Sequence, residues 1–144
     1  MRAFEYRHRV LLEDTSVAGD VYFTRYFSLQ GRCRELFLLE RAPDVLERLR
    51  DGLALVTTHC SCEYIGEALP GDEIRVRMRL GRLAQNLIDL DFEYWRAGDG
   101  EEALIARGAQ QVACMRREAG RVVPEPVPGS LVAALEAYQP GAVR

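Results

Sequence analysis

The chain has 144 residues, 48% apolar and 28% charged, with a formal net charge of −3. That is the size and composition of one globular domain able to bury a core without disulfide support. The charge is too mild to point to nucleic acid or an anionic membrane. No apolar run approaches the roughly 20 residues of a membrane span, and the opening MRAFEYRHRV lacks the apolar stretch of a secretory signal.

All 19 basic residues are Arg, as a high-GC genome would favour. Cys33, Cys60, Cys62 and Cys114 form no C-x-x-C pair, and only two His accompany them, so no metal site is expected. The cysteines read as reduced core residues of a cytoplasmic protein.

Residues 4–12 predict a first strand, and residues 13–20, EDTSVAGD, a loop rich in turn formers. A long helix is predicted from Tyr22 to about Glu40. Tyr22, Tyr26, Leu29, Cys33, Leu36 and Phe37 recur along it three or four apart. Phe27, Leu38 and Leu39 widen the stripe, so the helix should be mostly buried. Gly31 in its middle costs about 1 kcal/mol, which close approach of another backbone would explain. A short helix over 43–51 has Pro43 at its first position and Gly52 past its end.

From residue 53 the period becomes two. Ile74, Val76, Met78 and Leu80 alternate with Arg75, Arg77 and Arg79. Ile88, Leu90, Phe92 and Tyr94 alternate with Asp89, Asp91 and Glu93. A hairpin with its tip near Ala84 sets Arg79 against Asp89, Arg77 against Asp91 and Arg75 against Glu93 on the solvent side. The apolar sets then share the other face. Residues 54–65 and 102–116 supply two more strands, with a turn at Gly98-Asp99-Gly100. Pro124 to Gly129 reads as an extended connector, and Ser130 as the cap of a last helix reaching Tyr138. One long apolar helix against one antiparallel sheet is an α+β layer arrangement, and an exposed edge strand invites a second copy.

The segment from Asp14 to Tyr26, DTSVAGDVYFTRY, resembles the loop-to-helix motif of hotdog thioesterases of the 4-hydroxybenzoyl-CoA type. The continuation Gln30-Gly31-Arg32-Cys33-Arg34-Glu35 is similar to a narrower branch, the thioesterases of enediyne polyketide biosynthesis. Glu63-Tyr64, Ile74 to Leu80, Ala106-Arg107-Gly108 and Ala113-Cys114-Met115 extend the match to about residues 4–128. The resemblance implies a hotdog fold, with an antiparallel five-stranded sheet wrapped around one long central helix in a single domain over 1–144. It also implies a homo-oligomer, at least a dimer with a continuous sheet and by resemblance a tetramer. Its implied substrate is a linear conjugated polyene acyl thioester on the acyl carrier protein domain of an iterative polyketide synthase, with no cofactor. The general family places a catalytic Asp where this chain has Ser16, and other relatives place a carboxylate where it has Gly31. The enediyne branch usually carries Asn at the first of these positions.

Thioester hydrolysis must polarise the carbonyl, place a water and stabilise an oxyanion. Backbone N–H groups at a helix start can hold an oxyanion, and the resemblance puts that donor near Phe23. It aligns Arg34 with an active-site Arg of the enediyne branch, whose permanent charge would stabilise the oxyanion without acting as a base. Pairing of Arg34 with an acid across a subunit interface is the alternative. Ser16 is a candidate to hydrogen-bond water or carbonyl, or else a turn residue. Tyr26 is a candidate to lend its hydroxyl, or else core. Gly19, Tyr22, Leu29 and Phe37 are the candidate substrate-binding residues. Arg32 and Glu35 read as interface or ion-pair residues, and His8 and His59 as strand residues. No G-x-S-x-G elbow occurs. Three readings stay open: a carrier-protein or CoA thioesterase, an acyl-binding module that does not cleave, and a hotdog dehydratase. The last normally needs a His with a carboxylate.

Overall fold

A computed structural model of the chain describes residues 2–140. The elements run β1 (Phe4–Arg9), α1 (Arg25–Arg41), α2 (Pro43–Arg50), β2 (Leu53–Tyr64), β3 (Glu73–Ala84), β4 (Leu87–Ala97), β5 (Glu102–Glu118), β6 (Arg121–Pro124) and α3 (Gly129–Glu136). The strands pair antiparallel in the order β1-β3-β4-β5-β2. These are the five antiparallel strands that the resemblance implies, with β6 added. β5 outruns β4, whose pairing ends at Ala113, and β6 takes up the free stretch from Met115 to Glu118. α1 touches both edge strands, β1 and β2, and also β3, so the sheet wraps the helix.

Two rows of α1 do different work. Leu29, Cys33 and Phe37 enter the apolar core, where Phe37 meets Phe4 and Tyr138 edge-on at 5.3 and 5.8 Å. Tyr26, Gln30 and Arg34, each four residues apart, form the second row. The latter two are bonded to side chains and carbonyls of β2 and β5. Arg32, Glu35 and Leu39 are exposed, so burial is less complete than predicted.

The helix begins at Arg25, three residues later than expected. Val21 N–H is bonded to Ala68 O and Tyr22 N–H to Asp14 O, so this backbone is committed across the loop and cannot join the helix. Apart from its own turn of helix, nothing among the described residues lies within 4 Å of a Cβ built on Gly31. The close approach proposed for it is therefore not made within one chain.

The β3–β4 register differs by two residues from the predicted one. Arg79 faces Asp91, Arg77 faces Glu93 and Arg75 faces Trp95. A bulge between Leu80 and Leu83 and a turn at Gln85-Asn86 move the tip. Asn86 fixes that turn: its carbonyl accepts from Cys114 N–H at 2.7 Å and its amide donates to Cys114 O at 3.3 Å. A shift of two preserves facing, so the apolar rows still point to the core. The arginines instead pair with Glu73, Glu102, Glu5 and Glu93.

Ser130 is not the α3 cap. Pro128 precedes the helix, and the Ser130 hydroxyl donates to Asp44 at 2.6 Å, tying α3 to α2. Cys33 and Cys114 are buried, but Cys60 is exposed because β2 is an edge strand. Glu35 makes no ion pair among the described residues; it only lies close enough to favour the charge on Arg34.

Candidate active site

The loop before α1 is built on Asp14. Burial pushes its carboxyl up, but the Leu11 N–H, His8 and Arg25 outweigh this and hold it below its ordinary range. His8 Nε2 lies 2.9 Å from Asp14 Oδ2, and the Leu11 N–H donates to the same oxygen at 2.9 Å. The chain then turns at Ser16–Asp20. Ser16 N–H donates to Asp20 O and Gly19 N–H to Ser16 O, both at 2.9 Å. Gly19, at φ +91, takes the left-handed conformation that closes the turn.

This loop, the start of α1 and the end of β2 enclose a cleft of about 320 Å³. It is lined by Ser16, Asp20, Val21, Tyr22, Phe23, Tyr26, Tyr64 and Gly66. Its aromatic wall is continuous. Tyr22 and Phe23 have ring centroids 4.8 Å apart, Phe23 and Tyr64 6.3 Å, and Tyr26 and Tyr64 5.1 Å. Tyr64 donates its hydroxyl to Phe23 O at 2.8 Å, and Tyr94 donates to Tyr26 O at 2.7 Å. Both carbonyls are thus held in place, while among the described residues the N–H groups of Phe23 and Thr24 have no acceptor. Free N–H groups at the positive end of a 17-residue helix are an anion site in waiting. Burial pushes the Tyr26 phenol up to about 12, so near neutral pH it is a protonated donor.

Ser16 is in the cleft but partly spent. Its Oγ accepts from Ala18 N–H at 3.2 Å and lies 3.4 Å from Asp20 Oδ1. It also borders a second cleft of about 620 Å³, on the side of Val17, Thr24 and Arg25.

Arg34 does not join this group within one chain. It lies eight residues beyond Tyr26, about 12 Å along the helix axis. Its Nη1 donates to Thr57 Oγ1 and to Gln110 Oε1, both at 2.8 Å. Among the described residues no carboxylate pairs with it, and Nη2 and Nε make no hydrogen bond. Beneath it an apolar slot lined by Phe37, Leu38, Leu55, Met78 and Leu131 has a volume of about 20 Å³, room for little more than one water. Phe37 therefore lines only this small slot, and Leu29 is core and lines neither the slot nor the two clefts. Tyr22 is exposed and lines both clefts, whereas Gly19 is exposed and lines neither.

Sequence reasoning missed Asp20, the one acidic side chain lining the aromatic cleft, and also Gln30, Gln110 and Thr57. A signal existed for Gln110. It occupies an inward position of β5 in the row Ala106, Gly108, Gln110, Val112 and Cys114. Among the described residues no group of three His, Cys, Asp or Glu side chains is arranged to hold a metal. No described helix is long and apolar enough to cross a membrane.

The family model of the thioesterase-like superfamily matches residues 10–135. A crystal structure of the dynemicin thioesterase, described for induced-fit and allosteric effects upon polyene binding, is 42% identical. It superposes with a TM-score of 0.94, covering 98% of this chain and 100% of that one. A 1,4-dihydroxy-2-naphthoyl-CoA hydrolase of Synechocystis is 26% identical over 129 residues, 89% of this chain and 92% of the relative. A 4-hydroxybenzoyl CoA thioesterase mutant, in complex with 4-hydroxybenzoyl CoA, is 14% identical. It shares the fold at a TM-score of 0.82 over 94% of this chain and 99% of its own. The architecture is that of the hotdog thioesterases.

Proposed function

Because this chain belongs to the thioesterase-like superfamily, we propose that it releases a linear conjugated polyene acid from an acyl carrier protein domain of an iterative enediyne polyketide synthase. It is a thioester hydrolase. The polyene assignment rests on its likeness to the dynemicin thioesterase. The observation that carries the site is the free Phe23 N–H at a helix start, walled by the rings of Tyr22, Phe23, Tyr26 and Tyr64. Flat rings suit a flat conjugated chain, and the N–H suits the oxygen of its thioester carbonyl.

The site is completed by a second copy. β2 is an edge strand whose residues 56–61 are exposed on both faces. Antiparallel pairing of β2 with its copy continues the sheet and carries Arg34 of one protomer toward the helix start of the other. The open space at Gly31 admits the neighbouring helix. Water then attacks the carbonyl carbon. The oxyanion is held by the Phe23 N–H and the unused Arg34 N–H groups, the carbon–sulfur bond breaks, and the pantetheine thiolate leaves and takes up the proton that the attacking water gives up. No carboxylate is required, because a thiolate is a good leaving group.

A second reading gives Asp20 the water, since it is the acidic side chain in the cleft. Asp20→Asn separates the two. The oxyanion account predicts that kcat changes by less than about tenfold, whereas base catalysis costs about 10² or more. The function itself is tested with polyene-loaded carrier protein and mass spectrometry. Free acid and unloaded carrier support hydrolysis; a stoichiometric complex with the thioester intact supports an acyl-binding module instead.

A further inference from the structure

Tyrosines and cysteines aside, only three polar or charged side chains are buried among the described residues: Asp14, Gln30 and Gln110. Two of the three form one chain of hydrogen bonds. Gln30 Nε2 donates to Ser61 O at 3.0 Å, Gln110 Nε2 donates to Gln30 Oε1 at 3.0 Å, and Arg34 Nη1 donates to Gln110 Oε1 at 2.8 Å. The direction of this chain is forced by its ends. The Ser61 carbonyl can only accept, and the guanidinium can only donate. Each amide between them therefore has one permitted orientation, and the end that reaches Arg34 is always an oxygen.

The fold makes room for this arrangement at two places. An added Cβ at Gly108 would overlap the Gln30 amide nitrogen, so the strand carries no side chain where Gln30 crosses it. Thr57 faces inward in the regular alternation Leu53, Leu55, Thr57, opposite Val112, and the bulge that follows it sets Cys60 opposite Gln110. Thr57 thereby meets Nη1 from the other side.

We infer that Gln110, clamped by Gln30, is a positioning residue that fixes the Arg34 guanidinium through a neutral amide and leaves its positive charge uncancelled. This rests on the proposed role of Arg34 at the oxyanion. A carboxylate at position 110 would grip Arg34 more strongly but would neutralise the charge the oxyanion needs. The amide occupies Nη1 together with Thr57 and leaves Nη2 and Nε, three N–H donors, for substrate.

The test is single-site kinetics on carrier-bound substrate with Gln110→Glu, in wild-type and Arg34→Gln backgrounds, alongside thermal melts. Gln110→Glu keeps the shape and the oxygen that accepts from Arg34, but sets a carboxylate oxygen against Gln30 Oε1 in place of the donor. It is expected to lower the melting temperature while staying folded at the assay temperature, lower kcat on the order of tenfold or more, and leave KM within about twofold. In the Arg34→Gln background the same change is expected to cost nothing further. Gln30→Met, which retains volume but frees Gln110, gives a second reading should the first variant fail to fold. Its loss in kcat must likewise vanish when Arg34 is replaced. Wild-type kcat in Gln110→Glu, or losses that multiply with Arg34→Gln, overturn the inference while leaving the role of Arg34 intact. Wild-type kcat in Arg34→Gln itself overturns that role, and the inference with it.

Discussion

Tyr64, at the end of β2, donates its hydroxyl to the Phe23 carbonyl oxygen at 2.8 Å. The bond crosses 41 residues of sequence and fixes the peptide plane just before α1, beside the Phe23 N–H assigned to the oxyanion. Tyr64→Phe keeps the ring against Phe23 and Tyr26 but removes the bond. One ordinary hydrogen bond is worth about 1 kcal/mol. kcat should fall by about fivefold with little change in melting temperature, measured by steady-state hydrolysis and a thermal melt.

Gly108→Ala tests the space held for Gln30. The new Cβ meets the Gln30 amide nitrogen, with Ser61 O at 3.0 Å also too close. Gln30 is fully buried and has nowhere to retreat. A destabilisation of about 1–3 kcal/mol is expected from overpacking, read in denaturant melts. Gly71→Ala is not an equivalent control, because Gly71 sits at φ +95. Gly31→Ala, which meets open space, should be neutral or stabilising in the isolated protomer.

Acid should loosen the loop before α1. Asp14 is held below its ordinary value of 3.8, despite burial, by Leu11 N–H, His8 and Arg25. A carboxyl lowered on folding contributes stability that is complete above its ordinary value and is lost as pH falls through the lowered one. Stability should therefore drop below pH 3.8, and Asp14→Asn should be less stable at neutral pH with a flatter acid limb. Melts of both proteins from neutral pH down to about pH 3 measure this. Parallel acid limbs would contradict it.

Much of the fold is legible in the sequence because period and turn chemistry are local. The alternation of Arg75, Arg77 and Arg79 with apolar residues predicts β3 and its facing, and Pro43 and Gly52 bracket α2 as placed. The register is less legible. Charge pairing of Arg79 with Asp89 or with Asp91 looks alike in sequence, and the choice is made by Asn86, bonded to Cys114 on another strand. The candidate site divides in the same way. Ser16, Phe23 and Tyr26 are near neighbours in sequence and share one cleft. The partners of Arg34 lie 23 and 76 residues away, and only the pairing of β2 with β5 brings Thr57 and Gln110 together at it.

In the proposed mechanism a fixed positive charge, not a carboxylate base beside it, drives the chemistry. The most direct measurement is single-turnover hydrolysis of the carrier-bound polyene by Arg34→Ala and Glu35→Ala, each shown to be folded by thermal melt. Arg34→Ala should lose about 10²–10³ in rate, the usual cost of one oxyanion stabiliser, while Glu35→Ala, exposed and unpaired among the described residues, should retain most of it. A folded Arg34→Ala near wild type beside an inactive Glu35→Ala would contradict the account and make the reaction base-catalysed.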